Sequence, residues 1–455
     1  MKASNQNSKE IYRNAITKFN QDIVETYYKR GKTYLKLQEY DLAIEDFNTV
    51  LQLDPQNIKT YLIRGYTYGE KKEYQQEIAD YTEAIGLAPK LAKAYRSRGY
   101  TYGILQNYQR AIADFNQAIE FAPNYAQAYY NRGCIYNILE QHQHAVADFA
   151  QVIRLDPDNI KAYKRRAKIY NFWESYDKAI ADLTQVIRLN PNHAKAYQAR
   201  GMANSITQHY RNAISDFSQA ILLNPADWQS LYNQGHCYRE LKDYNNAITS
   251  YAGVSRLKPK FISAYHDRGF MYGKLQKFNL AISDYSTAIQ IDPNDAQAYF
   301  YRGNAYNFLQ EYEEALWNYA RCIKLNSRHG QAYFNRGVTY SCIKQHQKAI
   351  ANYNMGISIS PHSALIYNNR GNSYKELQEY QSAISDYTQA IFFNPDYSDA
   401  YYNRGIIYYL LHKREKSLKD LTVAASLFHK QGKEDLSQQT NVKIQTLHGI
   451  QEVAI

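Results

Sequence analysis

The chain has 455 residues, of which 54 are lysine or arginine and 43 are aspartate or glutamate, giving a formal net charge of +11. No apolar run approaches the roughly 20 residues that span a bilayer, and residues 1–5 lack the apolar core of a signal peptide. We therefore expect no membrane span and a cytoplasmic protein, and the positive charge indicates an acidic partner.

The first 23 residues contain a short amphipathic pattern. Ile11, Ala15, Ile16 and Phe19 recur at helical spacing, which predicts a helix with one apolar side. Residues 1–23 have no counterpart in the chain that follows. We predict that they form an N-terminal capping helix that covers apolar surface at the end of the following structure.

From residue 24 onward the sequence repeats every 34 residues, and positions are numbered within each repeat. Glycine stands at position 8 in eleven of twelve repeats, with Ala167 in the other, and tyrosine stands at position 4 in eleven. All ten prolines occupy position 32. A fixed period of this length predicts a solenoid. The repeats span 24–57, 58–91, 92–125, 126–159, 160–193, 194–227, 228–261, 262–295, 296–329, 330–363, 364–397 and 398–431.

Each repeat has the pattern of two helices. In repeat 4, Tyr129, Gly133 and Tyr136 are four and three residues apart, and Ala145 and Phe149 follow at helical spacing. Proline ends the second helix because it has no N–H to donate and disfavours helical geometry in the preceding residue. We predict two antiparallel helices, A and B, joined by a tight turn.

The recurring glycine predicts how helices A and B pack. Glycine inside a helix costs about 0.5–1 kcal/mol relative to alanine, so its regular use indicates that the missing side chain matters. We predict that Gly133 and Ala145 allow a close approach of the two helices. A larger side chain at Gly133 should therefore overpack the pair.

A second recurring pair predicts an ion pair between the helices. Arginine stands at position 7 in eleven repeats and aspartate at position 23 in nine. Repeat 7 replaces both, with Gln234 and Ser250, whereas Asn318 and Asn352 face the arginine in two other repeats. A guanidinium group suits a carboxylate, and an asparagine can still accept its hydrogen bond. A row of ligand-binding arginines is the alternative.

These residues resemble tetratricopeptide repeats of the Tyr-x-Asn-Arg-Gly kind, common in bacterial and notably cyanobacterial proteins. The resemblance covers residues 24–431 and implies an all-α fold, a right-handed α-solenoid superhelix of antiparallel helix pairs. It also implies binding of proteins or peptides in a concave groove rather than catalysis. Glu77 and Ser417 replace the alanine of position 20, and Arg414 and His429 mark a degraded last repeat.

The remaining sequence predicts no chemistry. Residues 432–455 carry Leu436, Ile444 and Leu447 at near-helical spacing, which predicts a C-terminal capping helix and tail. The four cysteines lack a Cys-x-x-Cys spacing and are expected to be free thiols. We find no phosphate-binding glycine loop, metal-ligand cluster or nucleophile motif, and we expect no catalytic residue, metal, cofactor or enzyme activity.

In the family that the chain resembles, positions 2, 5, 6, 9, 12 and 13 of helix A line the concave surface. In repeats 1–6 these positions hold eleven cations, among them Lys32 and Lys59, against Glu25 and Glu70. In repeats 7–12 three cations stand against four carboxylates. A basic groove attracts acidic segments, although such lysines can also serve solubility alone. The predicted basic site comprises Lys93, Arg96, Asn131, Lys161, Lys164, Arg165, Lys168 and Lys195.

Repeats 3–5 contain part of a carboxylate clamp. Some family members hold a partner's terminal carboxylate with lysine and asparagine, then asparagine, then lysine and arginine, from three consecutive repeats. The corresponding residues here are Arg96, Tyr100, Asn131, Lys161 and Arg165. The tyrosine departs from the pattern, and the first arginine keeps the charge but changes the geometry. A terminal-carboxylate clamp and a looser acidic-peptide site both remain open.

The later repeats place amides and aromatic rings at the same positions. A row of asparagines can hold an extended peptide backbone, because asparagine both donates and accepts hydrogen bonds. Local bonds within the helix pair are the alternative. The predicted amide and aromatic site comprises Phe300, Asn304, Phe334, Asn335, Asn369, Asn372, Tyr402 and Asn403.

Two functions therefore compete at this level. The first is a non-catalytic scaffold that binds an extended, partly acidic protein segment in its groove. The second is binding of single-stranded nucleic acid or another polyanion by basic residues and exposed tyrosines. The sequence does not identify the partner, the pathway or the oligomeric state.

Overall fold

The computed structural model describes the backbone of residues 2–449 and the side chains of residues 10–447. This part of the chain contains 25 α-helices and no β-strand, so the predicted all-α class is confirmed. The four cysteines are free thiols, as expected. The chain divides into an N-terminal body, Met1–Leu223, and a C-terminal body, Asn224–Ile455.

The N-terminal body contains α1 to α12, in which odd-numbered helices are A helices and even-numbered helices are B helices. Their bounds are α1 Lys2–Lys36, α2 Tyr40–Leu53, α3 Ile58–Glu70, α4 Tyr74–Leu87, α5 Ala92–Ile104, α6 Tyr108–Phe121, α7 Ala126–Ile138, α8 His142–Leu155, α9 Ile160–Phe172, α10 Tyr176–Leu189, α11 Ala194–Ile206 and α12 Tyr210–Leu223.

The C-terminal body continues the alternation and adds one further helix, α25. The bounds are α13 Trp228–Glu240, α14 Tyr244–Leu257, α15 Ile262–Lys274, α16 Phe278–Ile291, α17 Ala296–Phe308, α18 Tyr312–Leu325, α19 Gly330–Cys342, α20 His346–Ile359, α21 Ala364–Glu376, α22 Tyr380–Phe393, α23 Ser398–Leu410, α24 Arg414–Lys430 and α25 Glu434–Gly449.

The stretch preceding the first repeat does not form a helix of its own. Helix α1 runs without a break from Lys2 to Lys36 and includes helix A of repeat 1. No glycine or proline stands before residue 24 to end a helix. Ile11, Ile16 and Phe19 are 61%, 61% and 65% exposed. The described residues therefore leave this apolar side uncovered, contrary to the expected capping role.

In every repeat, one residue of the turn from helix A to helix B has a left-handed backbone conformation. Position 15 has φ between 55° and 63° in all twelve repeats, although none of these residues is glycine. In repeat 11, the N–H groups of Gln378 and Glu379 donate to the Lys375 and Tyr374 carbonyls, each at 2.9 Å. These are the two bonds of a Schellman motif.

Replacing Gln378 by glycine is expected to raise the free energy of unfolding by about 0.5–1 kcal/mol, because glycine adopts positive φ without steric cost. Gln389 of α22 is an exposed glutamine within a helix of the same repeat and serves as the matched control. Gln389→Gly should lower stability by about 1 kcal/mol. Thermal melts of the two variants shifting in the same direction would contradict this interpretation.

Helix B ends at position 30, and the next residue has an extended backbone. Asp156, which precedes Pro157, has φ −140° and ψ 86°, as expected before proline. Asn326 adopts a similar conformation although Ser327 follows it, and its side chain accepts a hydrogen bond from Arg328 N–H at 3.1 Å. In repeat 12, which lacks the proline, α24 has 17 residues instead of the 14 of α8.

Glycine at position 8 lies against the ring at position 24, so the predicted close approach of helices A and B is confirmed. A Cβ atom at Gly133 would lie 3.1 Å from Cε1 of Phe149 and 3.1 Å from Cβ of Asp148. Ala145 is fully buried beside this contact. The Phe149 ring and the Cβ of Asp148, rather than the alanine, are the groups that a side chain in place of Gly133 would meet first.

The predicted ion pair is present in all nine repeats that carry both residues. In repeat 4, Arg132 donates from Nε to Oδ2 of Asp148 at 2.9 Å and from Nη2 to Oδ1 at 2.6 Å. Its Nη1 also donates to Asn116 of the preceding repeat at 2.6 Å. The nine pairs are Arg30–Asp46, Arg64–Asp80, Arg98–Asp114, Arg132–Asp148, Arg166–Asp182, Arg200–Asp216, Arg268–Asp284, Arg370–Asp386 and Arg404–Asp420.

The repeats that lack this ion pair have a hydrogen bond between the same two positions. Asn318 accepts from Nε of Arg302 at 2.9 Å, and Asn352 accepts from Nε of Arg336 at 2.6 Å. In repeat 7, Ser250 donates to the side-chain oxygen of Gln234 at 3.2 Å. The arginines are therefore engaged in contacts between helices A and B, as the ion-pair hypothesis predicts. The additional bond to the preceding repeat was not predicted from the sequence.

Candidate functional site

A cavity of about 650 Å³ opens between helices α1, α3 and α5 of the N-terminal body. Tyr74, Glu77 and Tyr81 of α4 contribute to its lining. Every other lining residue stands at position 2, 5, 6, 9, 12 or 13 of repeats 1–3. These positions share one face of a helix, because they are three or four residues apart. We call this space the basic cavity, since Lys32, Lys59, Lys93 and Arg96 line it.

The residues of the predicted basic site lie in three separate places. Lys93 and Arg96 of α5 line the basic cavity. Asn131 of α7 is buried. The other five, exposed on α9 and α11, are Lys161, Lys164, Arg165, Lys168 and Lys195.

The groove lysines of the N-terminal body are almost free of ion pairs. Lys29 pairs with Glu25 at 2.6 Å, and both side chains are mostly exposed. Eight further lysines form no ion pair with any carboxylate among the described residues, so their charge is available to a ligand. These are Lys32, Lys36, Lys59, Lys93, Lys161, Lys164, Lys168 and Lys195.

The residues of the predicted clamp bond to other neighbours. Nε of Arg96 donates to the hydroxyl of Tyr125 at 3.2 Å. Asn131 is 8% exposed, and its Oδ1 accepts from Gln127 at 2.9 Å. Its buried Nδ2 has no hydrogen-bond partner among the described residues. A hydrogen bond with Tyr130 raises the pKa of Arg165. An amide donor without a partner thus lies on the A helix between those that carry Arg96 and Arg165.

A second cavity, of about 610 Å³, lies in the C-terminal body between repeats 8 and 9. Aromatic rings dominate its lining, and the rings of Phe278 and Phe308 stack 5.0 Å apart at 4°. Phe308 is 69% exposed. Lys274 lies over the ring of Phe270, 5.1 Å from its centroid. We call this space the aromatic cavity.

Phe270 and Phe308 were not among the predicted site residues, although they stand at positions 9 and 13, two of the groove positions. Phe300, which was predicted, exposes little surface to a ligand. Phe300 is only 5% exposed. Its ring packs 6.2 Å from Tyr319 and 4.7 Å from His329. A side chain at position 5 can turn toward helix B, and a large apolar one is buried there.

The other two predicted rings are half-buried in the same way. Phe334 packs 6.0 Å from Tyr353 of its own repeat. Tyr402 lies 6.2 Å from Phe428 of α24. Each ring therefore contributes to the packing of a helix pair and presents only part of its surface to the groove.

Most of the predicted asparagine row is bonded within the chain. Oδ1 of Asn304 accepts from the Tyr319 hydroxyl at 2.9 Å and from Asn335 at 2.7 Å, so both lone pairs are used. Asn403 donates to the side chain of Asn368 at 3.2 Å.

The remaining two asparagines of the row have partners within their own repeat. Nδ2 of Asn369 donates to the Leu365 carbonyl at 2.8 Å. Oδ1 of Asn372 accepts from the Tyr387 hydroxyl at 2.8 Å. These contacts are the local bonds that the sequence analysis named as the alternative to backbone binding.

The basic groove residues of the C-terminal body differ from those of the N-terminal body. Arg239 pairs with Glu240 at 2.9 Å and lies 3.7 Å from Asp267. Lys375 lies 3.2 Å from Glu376. Adjacent carboxylates therefore neutralise two of the three groove cations of this body, while Lys274 lies over a ring.

Among residues 10–447, no three histidine, cysteine or carboxylate side chains come together as metal ligands. None of the helices in the described part of the chain combines the length and apolar character needed to cross a membrane.

Comparison with known families accounts for the repeats. Models described as tetratricopeptide repeat match residues 24–57, 58–91, 92–125, 126–159, 160–193, 194–227, 229–261, 296–329 and 330–363, and a model described as TPR repeat matches 271–307 and 371–411. The chain belongs to the tetratricopeptide repeat family. An array of tetratricopeptide repeats is a protein–protein interaction scaffold, and this chain is such an array. No curated protein sequence matches it.

Several solved tetratricopeptide repeat structures are similar to this chain. Yeast Tom70 is 15% identical, over 95% of this chain and 97% of that one, with a TM-score of 0.39. A chain of the APC/C hetero-tetramer Cut9–Hcn1 is 13% identical over 92% and 96%, with a TM-score of 0.40. A tetratricopeptide repeat protein from Parabacteroides merdae is 20% identical over 54% and 98%, with a TM-score of 0.44.

Proposed function

We propose that this protein is a non-catalytic scaffold that binds an extended, acidic segment of a partner protein along the A helices of its N-terminal body. The acidic side chains of the segment would lie over the basic cavity and over the lysines of α9 and α11. Its backbone would follow the row of A helices. The partner is defined by its chemistry, an unfolded stretch rich in aspartate and glutamate.

The observation that carries this proposal is the difference in ion pairing between the two bodies. Eight groove lysines of the N-terminal body have no carboxylate partner among the described residues, whereas Arg239 and Lys375 of the C-terminal body pair with adjacent glutamates. Unpaired cations on one surface create a positive potential that attracts acidic segments. If the lysines served solubility alone, unpaired cations would not be expected to concentrate on one helix face of one body. The contrast therefore argues against that role.

The unpaired amide of Asn131 supports a ligand that brings a hydrogen-bond acceptor to this place. A buried donor without a partner costs about 1–3 kcal/mol, and its Nδ2 is such a donor. A carboxylate held near Arg96 and Arg165 would supply the missing acceptor through charge-assisted hydrogen bonds. Whether that carboxylate is the chain end of the partner or an acidic side chain is part of the test.

The aromatic cavity suggests a separate contact in the C-terminal body. Phe270 and Phe308 expose 41% and 69% of their surface there. Large exposed rings around a concave space suit an apolar side chain of a bound segment. The amide row plays a smaller part in this proposal, because each of its five side chains already makes a hydrogen bond within the chain.

The binding test uses a labelled oligoglutamate peptide and fluorescence anisotropy. Replacing Lys59 and Lys93 by alanine is expected to weaken binding about tenfold, since each lost charge contact contributes up to about 1 kcal/mol. The matched control removes two cations from position 19 of helix B, through Arg110→Ala and Lys178→Ala. This control should change the affinity by less than about twofold. Equal losses in the two double variants would show that only net charge matters and would contradict the groove.

Two further probes separate the alternatives. A peptide with an amidated chain end should bind as well as one with a free carboxylate. Weaker binding of the amidated peptide would indicate a clamp for the terminal carboxylate. A labelled single-stranded oligonucleotide, measured at about 50 and about 200 mM salt, tests polyanion binding. Tighter binding of the oligonucleotide than of the peptide at both salt concentrations would replace the protein-binding proposal by nucleic-acid binding.

A further inference from the structure

Repeat 2 differs from its neighbours in one buried residue. Position 20 holds alanine in ten of the twelve repeats and serine in one, but repeat 2 has Glu77. Helix α4 places this side chain at the floor of the basic cavity, with 7% of its surface exposed. Ser417, the other departure, is satisfied because its hydroxyl donates to the Gly405 carbonyl at 2.9 Å. Glu77 is only partly satisfied, because the Thr101 and Tyr81 hydroxyls bond to it but its Oε2 has no partner among the described residues.

The carboxylate of Glu77 lacks a counter-ion. Its buried Oε2 has no hydrogen-bond partner among the described residues. Burial raises the pKa of Glu77, the Thr101 and Tyr81 hydroxyls oppose this shift, and the charge of Glu70 adds to it. A charged carboxylate buried without a cation is costly, so a cation placed beside Glu77 would be stabilised there.

The fold makes room for this carboxylate. Gly69 stands opposite Glu77 on α3, and a Cβ atom there would lie 2.8 Å from Oε1 and 2.9 Å from Oε2. A side chain in place of Gly69 would therefore require the end of the Glu77 side chain to shift. Glycine inside a helix costs about 0.5–1 kcal/mol relative to alanine. The space beside Gly69 is thus occupied by the Glu77 carboxylate.

Five tyrosine rings line the same cavity as the carboxylate. Tyr28, Tyr66, Tyr74, Tyr81 and Tyr100 line the basic cavity. Tyrosine faces attract cations when the charge lies within about 6 Å of the ring centroid. The ammonium group of Lys32 already lies 5.5 Å from the centre of one of these rings. A carboxylate beside several aromatic rings is an environment that favours an ammonium or guanidinium group.

We propose that the floor of the basic cavity binds one lysine or arginine side chain of the same acidic segment, with Glu77 as its counter-ion. The inference rests on the proposed function and deepens it. The four cations at Lys32, Lys59, Lys93 and Arg96 exceed the two carboxylates of the lining. This balance fits a ligand that is acidic overall and carries a single base. The partner would therefore have one basic residue between acidic ones.

An internal partner for Glu77 does not explain the arrangement. None of the four lining cations pairs with it among the described residues, and no positive group contributes to the pKa shift of Glu77. Arg96 instead donates to Tyr125. Lys71, the cation six residues earlier in the chain, pairs with Asp41 and Glu73 at 2.6 and 2.7 Å. The counter-ion is thus left for a ligand to supply.

The test compares two oligoglutamate peptides that differ only at the centre, one with lysine and one with norleucine, on the full-length protein. The parent should bind the lysine peptide about tenfold more tightly, the effect of one buried charge-assisted hydrogen bond. Glu77→Ala should abolish this preference and leave the affinity for the norleucine peptide within about twofold. Because alanine is the usual residue at position 20, the variant should fold, and its thermal midpoint should rise.

The control variant is Glu70→Ala, which removes the other lining carboxylate and should keep most of the lysine preference. An equal affinity of the parent for both peptides would overturn the inference and leave the acidic-segment proposal intact. A lysine preference that survives Glu77→Ala would also overturn it. If neither peptide binds the parent, the proposed function itself fails, and this inference fails with it.

Discussion

Replacing Gly337 by alanine is expected to lower the free energy of unfolding by about 2 kcal/mol, within the usual range for an overpacked core. A Cβ atom at this position would lie 2.6 Å from Cε1 and 2.8 Å from Cδ1 of Tyr353. The ring is 1% exposed and belongs to the core of its repeat. It cannot move away without disturbing helix packing, since protein interiors are close-packed.

The control for this prediction is a helical glycine with free space around it. No atom lies within 4 Å of a Cβ built on Gly86, which is exposed near the end of α4. Gly86→Ala should therefore raise stability by about 0.5 kcal/mol through helix propensity alone. The opposite signs separate packing from propensity, because the covalent change is the same in both variants.

The chain itself contains a solution for alanine at position 8. In repeat 5, Ala167 occupies this position, and the ring at position 24 is replaced by Leu183; the two residues share one core cluster. The double variant Gly337→Ala with Tyr353→Leu should thus lose less unfolding free energy than the two single variants lose together, by about 1 kcal/mol or more. Chemical denaturation of the full chain, fitted with nearest-neighbour coupling between repeats, measures these differences. Strict additivity would contradict the proposed contact.

The fold could be predicted from the sequence because its determinants are local and recur. Gly133 and Pro157 stand at fixed positions of one repeat, and their equivalents occupy the same positions along the array. Even the exceptions agreed with one another, as the loss of arginine at Gln234 coincides with the loss of aspartate at Ser250. The left-handed turn was not predictable, since Gln378 and its equivalents have no intrinsic preference for positive φ.

The binding surface was harder to predict because exposure depends on neighbours in space. Phe300 and Phe308 both stand at groove positions of repeat 9, yet one is 5% and the other 69% exposed. The first stands at position 5 and meets Tyr319 of helix B, and the second stands at the end of helix A. No sequence rule distinguishes them without the position of helix B.

The role of Glu77 could not be inferred from its repeat alone. In the sequence it is a departure from alanine that affects local packing. In the structure its surroundings come from three repeats, including Gly69 on the facing helix and Tyr100 of the next repeat. A site assembled from several repeats has no local sequence pattern, which is why periodic analysis predicts the scaffold better than its ligand.

Removing the carboxylate of Asp148 while keeping Arg132 is expected to lower the free energy of unfolding by about 3 kcal/mol. The two side chains are 6% and 18% exposed, so Asp148→Ala leaves a largely buried guanidinium without its counter-ion. Only Asn116 of the preceding repeat would still accept from it. The loss should also weaken the coupling of repeats 3 and 4, because this one arginine contacts both.

Replacing the same aspartate by asparagine should lower stability by less than about 1 kcal/mol. Burial raises the pKa of Asp148, and Arg132 only partly opposes that shift. The desolvation of the carboxylate therefore offsets much of the ion-pair attraction. Asn318 and Asn352 already accept from the corresponding arginines in repeats 9 and 10, so the geometry needed for the amide exists in this chain.

The uncharged pair found in repeat 7 supplies the double variant of a double-mutant cycle. Arg132→Gln combined with Asp148→Ser reproduces Gln234 and Ser250, and should be less destabilising than Asp148→Ala because no charge is left unpaired. Single and double variants, measured by denaturation of the full chain, should give a coupling energy of about 1–3 kcal/mol. A coupling near zero would mean that the pair does not hold the helices together. The recurrence of arginine would then need a ligand to explain it.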